Sequence, residues 1–181
     1  MLTFLMSGLL WLKERENGIF ERSQVHNVSQ LTFFLSHLLV QVILMSASNI
    51  LLVAASAYMF RFQWNINLLV AYLLLYLQTV CTILIGQLVA MTSRCHMTYL
   101  TKLALVVFPC FFISGSMWPL ESINSRLFHI VTEILPLTKP TTAFRALVSR
   151  NLPPNNPIVY NGFLTLACYV IVCFGICLLQ L

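Results

Sequence analysis

Six charged side chains stand within ten residues: Lys13, Glu14, Arg15, Glu16, Glu21 and Arg22. Two carboxylates that close together invite an acid–base reading. That chemistry needs two carboxyl groups whose environments separate their pKa values. Lys13 and Arg15 stand between and beside Glu14 and Glu16, so the acids face cations instead. Two readings remain open. One is a solvated loop with exposed ion pairs, each contributing about 0 to 1 kcal/mol. The other is a short helix at a membrane surface that docks a partner. Alternating charge beside Ile19 and Phe20 suits a contact that is steered by charge and anchored by apolar area.

No other cluster carries catalysis. The six cysteines are Cys81, Cys95, Cys110, Cys168, Cys173 and Cys177. None forms a CxxC pair, so zinc and thiol-redox readings are weak. Cys173 and Cys177 fall at i, i+4 and read as small core hydrophobes. Cys95, near a membrane boundary, is a position for acylation. His26, His37, His96 and His129 are isolated and make no HExxH pattern, so no metal site is expected. There is no GxxxxGK[ST] loop among the six glycines and no GxSxG, so the chain itself neither hydrolyses ATP nor acts as a serine hydrolase. No catalytic residue and no directly bound cofactor is expected.

The elements that hold these residues are apolar. Of 181 residues, 59% are hydrophobic and 8% charged. A soluble domain has about 25% charge, and a disordered chain has low hydrophobicity. The composition therefore excludes both and indicates an all-α polytopic membrane protein. No charge lies between Arg22 and Arg61, between Arg61 and Arg94, between Lys102 and Glu121, or after Arg150. A span needs about 20 apolar residues. Four spans are expected, at 32–58, 66–92, 99–117 and 158–180. Residues 1–12 are apolar but short, and their cations follow rather than precede them, unlike a signal peptide. They read as the end of a span whose beginning is missing, or else as an interfacial helix.

Polar residues inside the expected spans are mild: His37, Gln41, Asn49, Gln78 and Gln87. Interhelical hydrogen bonds explain them as well as a functional role does. No charge sits near the middle of a span, which argues against proton-coupled transport and voltage sensing. The stretch Glu121–Pro157 is different, with six charges and five prolines. Leu127, Ile130, Val131 and Ile134 recur there at helical spacing. Short amphipathic or re-entrant helices at a membrane face are expected, jointed at the prolines.

The net charge of +5 reads as membrane-surface charge, not as nucleic-acid binding. It does not orient the chain. Lys13, Arg15, Arg22, Arg94 and Lys102 would lie on one side, and Arg61, Arg126, Lys139, Arg145 and Arg150 on the other. The sequon Asn27-Val28-Ser29 would put the first loop outside, but such short patterns recur by chance.

Two segments together resemble a family. Glu14-Arg15-Glu16-Asn17-Gly18-Ile19-Phe20-Glu21-Arg22 is similar to the E-R-E-x-G-x-x-E-R element of type-two ABC exporter membrane domains. Phe111-Phe112-Ile113-Ser114-Gly115-Ser116-Met117-Trp118-Pro119-Leu120 resembles that family's F-x-S-G-x-x-W-P segment. Ile134-Leu135-Pro136-Leu137-Thr138 and Ala143-Phe144-Arg145-Ala146-Leu147 resemble its L-P-L-T and a-x-R stretch. The resemblance covers nearly the whole chain and is strongest to G- and H-like subfamilies and their bacterial relatives.

It implies six spans per half, of which five segments are present here, without the first span and the ATPase domain. It implies that 13–30 is a cytoplasmic coupling loop, with Glu14, Arg15, Glu16, Gly18, Glu21 and Arg22 facing a partner nucleotide-binding domain that holds ATP and Mg²⁺. Residues 118–157 would be an extracellular re-entrant region, and Gly115, Trp118, Pro119, Pro136 and Arg145 its gate. Phe108, Phe111 and Phe112 would line an apolar path for lipids or hydrophobic compounds; facing lipid or packing as core is the plainer reading of the three. The partners implied are the nucleotide-binding domain, a second membrane half (homo- or heterodimeric) and membrane lipid, with the plasma membrane as the expected location. The rival is a non-transporting or channel-like membrane subunit with no ATPase partner. An intramembrane enzyme has no acid, nucleophile or metal cluster to support it.

Overall fold

The computed structural model describes residues 2–60, 66–115, 132, 133, 135–150 and 152–180. Seven helices are described: α1 (Leu2–Glu16), α2 (Ile19–Val25), α3 (Gln30–Phe60), α4 (Ile66–Met91), α5 (His96–Ile113), α6 (Thr138–Val148) and α7 (Pro157–Gln180). No strand occurs among the described residues. The all-α architecture follows from the solvent. In hydrocarbon every backbone N–H and C=O must be paired within the chain, and a helix does this locally. Among the described residues, four stretches are long and apolar enough to cross a membrane: Gln30–Ser56, Asn67–Met91, His96–Ile113 and Pro157–Gln180. The helix of the third span starts three residues before the expected 99 and ends at Ile113, four before the expected 117.

Hydroxyls within these helices turn back onto their own backbone. Ser36 donates to the Phe33 carbonyl at 2.8 Å, Ser46 to Ile43 at 2.7 Å and Thr82 to Thr79 at 2.7 Å. Such i−3 and i−4 bonds satisfy the hydroxyl without a second helix.

Chain contacts divide the protein into two compact units. The first comprises residues 1–47, 79–105 and 170–181. Its buried side chains include Phe4, Trp11, Leu12, Phe34, Ile83, Leu84, Tyr99 and Cys177. Trp11 is the centre of an aromatic cluster, with Phe33 and Phe34 edge-on at 5.5 and 6.1 Å.

The second unit comprises residues 48–78 and 106–169. Here Ala71, Leu147 and Val159 form a core that Val70, Phe144, Val148 and Phe163 extend. α6 is amphipathic: Thr138, Pro140, Ala143, Ala146 and Leu147 are buried, while Thr142 and Arg145 are exposed. α6 is one helix of the kind expected in the proline-rich region. The periodic residues Leu127, Ile130, Val131 and Ile134 lie outside the described residues. In α5, Pro109 sits in the helix interior. It has no N–H for the Leu105 carbonyl, so the helical ladder is interrupted there.

Candidate functional site

The charged segment at 13–22 is not one helix. α1 continues through Lys13, Glu14, Arg15 and Glu16, and α2 begins at Ile19. Between them Gly18 takes φ +66. Left-handed backbone costs an L-residue roughly 1–2 kcal/mol and glycine almost nothing. The Gly18 N–H donates to the Arg15 carbonyl at 3.2 Å, and the Gly18 carbonyl accepts from Arg22 N–H at 3.1 Å. One residue therefore closes α1 and opens α2. Lys13 and Arg15 fall in the last turn of α1, and Glu21 in the first turn of α2. Both placements complement the helix dipoles.

The two acids on α1 turn toward the spans. The Glu16 carboxylate lies 2.6 Å from His96 Nδ1, at the start of α5. Glu14 Oε2 lies 3.6 Å from His37 Nε2 on α3. Partial burial pushes the Glu14 carboxyl up, because desolvation disfavours the charged form. Arg15, Glu21, Arg22 and Ile19 are exposed.

Behind this turn a polar seam runs along α1. Gln41 Nε2 donates to the Ser7 carbonyl at 2.9 Å and lies 3.1 Å from His37 Nδ1. Gln87 Nε2 lies 3.2 Å from the same Nδ1. Two amide donors aimed at Nδ1 make it the acceptor, so in the neutral ring the proton is on Nε2, toward Glu14. Ser7 Oγ donates to the Ile83 carbonyl at 3.2 Å. Tyr99 Oη donates to the Phe4 carbonyl at 2.7 Å. The Trp11 ring stands nearly perpendicular to the His37 ring at 5.4 Å. Oε1 of Gln41 and of Gln87 has no hydrogen-bond partner among the described residues.

Of the sequence candidates, Glu14, Arg15, Glu16, Gly18, Glu21 and Arg22 share this one turn. The gate candidates are less complete. Gly115 follows α5 with φ +74. Pro136 stands in the turn before α6, and Arg145 is on the exposed face of α6. Trp118 and Pro119 lie outside the described residues. Phe108 and Phe112, one helical turn apart, stack at 6.1 Å with 13° between planes and are exposed. Phe111 meets Phe112 edge-on at 6.2 Å.

Sequence reasoning missed three features. Glu16–His96 joins residues 80 apart, and no local pattern announces it. Pro109 interrupts α5, and a search for prolines inside the expected spans would have found it. A cavity of about 310 Å³ lies in the second unit, lined by Leu52, Val53, Leu68, Tyr72, Phe144 and Val148 among others. Its walls are almost wholly apolar. Cys95 is exposed, and the Thr98 hydroxyl beside it holds its thiol below the usual range. Among the described residues, no three His, Cys, Asp or Glu are grouped to hold a metal ion.

The ABC-2 type transporter family model matches residues 1–148. The chain belongs to the ABC-2 type transporter family. It is the membrane component of an ABC transporter, an integral multi-pass protein. It is 24% identical over 172 residues to ABC transporter G family member 23 of Dictyostelium discoideum. That match covers 93% of this chain and 24% of the relative, so the chain spans about a quarter of the relative's length. No solved structure matches it. The ABC-2 region takes in the Gly18 turn, the polar seam and α6.

Proposed function

We propose that this ABC-2 chain is the membrane half of an ATP-driven exporter of lipids or hydrophobic compounds. A nucleotide-binding domain supplies ATP hydrolysis, and a second membrane half completes the pathway. Residues 14–22 form the coupling element, on the cytoplasmic side. The observation that carries this reading is the Gly18 turn within the matched family region, which leaves Arg15, Ile19, Glu21 and Arg22 exposed together.

The mechanism follows from what the turn touches. Closure of the ATP-bound domains displaces the exposed face of the turn. Glu14 and Glu16 are engaged with histidines of α3 and α5, so the displacement reaches those helices directly. The exposed Phe108–Phe112 stack and the cavity, whose lining is mostly apolar, support a hydrophobic cargo. Gly115, Trp118, Pro119, Pro136 and Arg145 form the extracellular gate in this reading.

The test reverses charge on the exposed face: Arg15→Glu, Glu21→Lys and Arg22→Glu together, in the whole transporter in proteoliposomes. The expected result is loss of ATP-driven transport with the protein still folded and inserted. Unchanged ATP-driven transport would overturn the coupling role.

A further inference from the structure

We infer that the cavity of about 310 Å³ between α3, α4 and α6 is a binding site for one acyl chain of a bilayer phospholipid, held as a resident part of the membrane domain. This goes beyond the exporter reading and does not rest on it. The same apolar chemistry suits a hydrophobic cargo, but the shape of the site favours a lipid that stays.

Each helix lends the cavity a pair of residues at i, i+4: Leu52 and Ser56 on α3, Leu68 and Tyr72 on α4, Phe144 and Val148 on α6. Residues so spaced share one helix face, so three faces meet around the space. Ser56 leaves the lining apolar, because its hydroxyl donates to the Val53 carbonyl of its own helix at 2.9 Å. The cavity has a floor and a mouth. Ala71 in its wall is 3% exposed, whereas Leu52 is 60% exposed. Ala71 also belongs to the core with Leu147 and Val159, and Phe144 and Val148 pack against that core. The cavity therefore ends blind on packed side chains. A cargo route would have to continue through them.

The medium at the mouth is hydrocarbon. Leu52 lies in the membrane-crossing stretch Gln30–Ser56, which among the described residues is the least covered of the four by the rest of the chain. Leu51 beside it and Leu69 on α4 are exposed too. Leu52 and Ser56 stand in the last two turns of their stretch, and Leu68 and Tyr72 in the first two turns of Asn67–Met91. That level is one end of both spans, where a lipid anchored by its headgroup carries its chain past. Water gains no partners in such a space, and apolar cavities stay dry and take apolar ligands. Left unfilled, the lining forfeits dispersion contacts in proportion to the volume. Pockets for whole small molecules run from about 300 to 1,000 Å³, so this one, at the low end, takes a single chain and leaves the headgroup outside. Lipid surrounds the mouth at all times, and mass action favours it over a dilute ligand.

The experiment is photolabelling of the whole transporter in nanodiscs, with a phosphatidylcholine carrying a diazirine on one acyl chain, and the labelled residues mapped by mass spectrometry. The wild type should be labelled at Ala71, Phe144 and Val148 as well as at Ile171, an exposed residue of α7 that reports ordinary contact with lipid. Ser56→Phe from the α3 wall and Val148→Phe from the α6 wall both fill the cavity. Each should lower labelling at Ala71 and Phe144 by about fivefold or more, the lower end of what overpacking a filled site costs, and leave Ile171 unchanged. Phe144→Leu widens the cavity and should keep the label at Ala71; a merely misfolded variant would not separate filling from widening in this way. Labelling of Ile171 without Ala71, Phe144 and Val148 would overturn the site, since another part of the protein would then cover it. Labelling of the cavity that filling does not reduce would overturn it as well. The same measurement during ATP turnover separates lipid from cargo. Unchanged labelling supports a resident chain, and labelling that turnover depletes would make the occupant cargo and overturn the inference.

Discussion

Gly8 lies in α1 against the Tyr99 ring of α5, and a Cβ added there would collide with two ring carbons and the hydroxyl oxygen. The substitution Gly8→Ala sets two effects against each other. Alanine gains about 1 kcal/mol of helix propensity over glycine. Overpacking a filled site costs about 1–3 kcal/mol. The structure decides between them. Tyr99 is fully buried, and its hydroxyl is held by the Phe4 carbonyl at 2.7 Å. The ring cannot step aside without losing that bond, worth about 1 kcal/mol. Gly8→Ala should therefore destabilise by about 1–2 kcal/mol net. Replacing the ring by Tyr99→Leu removes the obstruction. In that background Gly8→Ala should become stabilising, by about 1 kcal/mol. The coupling between the two sites is then about 2–3 kcal/mol, well above the noise of a double-mutant cycle. Equilibrium unfolding in mixed micelles, followed by circular dichroism, measures all four variants. If Gly8→Ala has the same sign in both backgrounds, α1 and α5 are not packed as described.

Two further predictions concern the turn. At Gly18 an added Cβ would meet no atom within 4 Å, so the cost of substitution is backbone strain alone. Gly18→Ala should weaken protection of Ile19–Val25 by about 1 kcal/mol, and Gly18→Asn by less, since asparagine tolerates the left-handed region; equal loss in both, read by hydrogen exchange, would contradict this. Burial raises the Glu14 carboxyl, so the folded state holds that proton more tightly than the unfolded state does. That contribution is full below the ordinary carboxylate range and is lost as pH rises through the raised value. Acidification from neutral pH toward about pH 4.5 should therefore favour the wild type over Glu14→Gln in unfolding midpoint, and a shift the other way would be incompatible with a raised carboxyl.

The parts of this architecture that depend on one-dimensional pattern are readable from sequence. Uncharged gaps longer than about 20 residues allow only one economical backbone solution in hydrocarbon, so the helices of the four spans follow from the positions of fifteen charges. The ends are less legible. α5 starts at His96 because the Thr98 hydroxyl accepts from the Cys95 N–H at 3.2 Å, a local cap that a hydropathy window does not see. α1 runs past Leu12 because Lys13 and Arg15 are favourable at a helix C-terminus, whereas their charge suggests a loop. The partners of His37, Gln41 and Gln87 lie on three different helices, and their residue types suit packing and function equally. Only three-dimensional contact separates the two.

That contact also divides the labour within the charged turn. If all six charges of 13–22 served an external domain, their acids and bases should be displayed alike. They are not. Glu14 is partly buried toward His37, and Glu16, itself exposed, is paired with His96, while Arg15, Glu21 and Arg22 are exposed. Exposed ion pairs contribute little to stability, so folding alone does not require this many charges in so short a segment. A turn that must both receive a push and hand it on needs two sets of contacts that do not compete. Gly18 permits both by bending the chain so that α1 keeps its acids toward the spans and α2 carries Glu21 and Arg22 outward. The consequence is asymmetric. Removing an inward acid should disturb α3 or α5 even with no ATPase domain bound. Removing an outward charge should change nothing in the isolated membrane domain and act only on the assembled transporter.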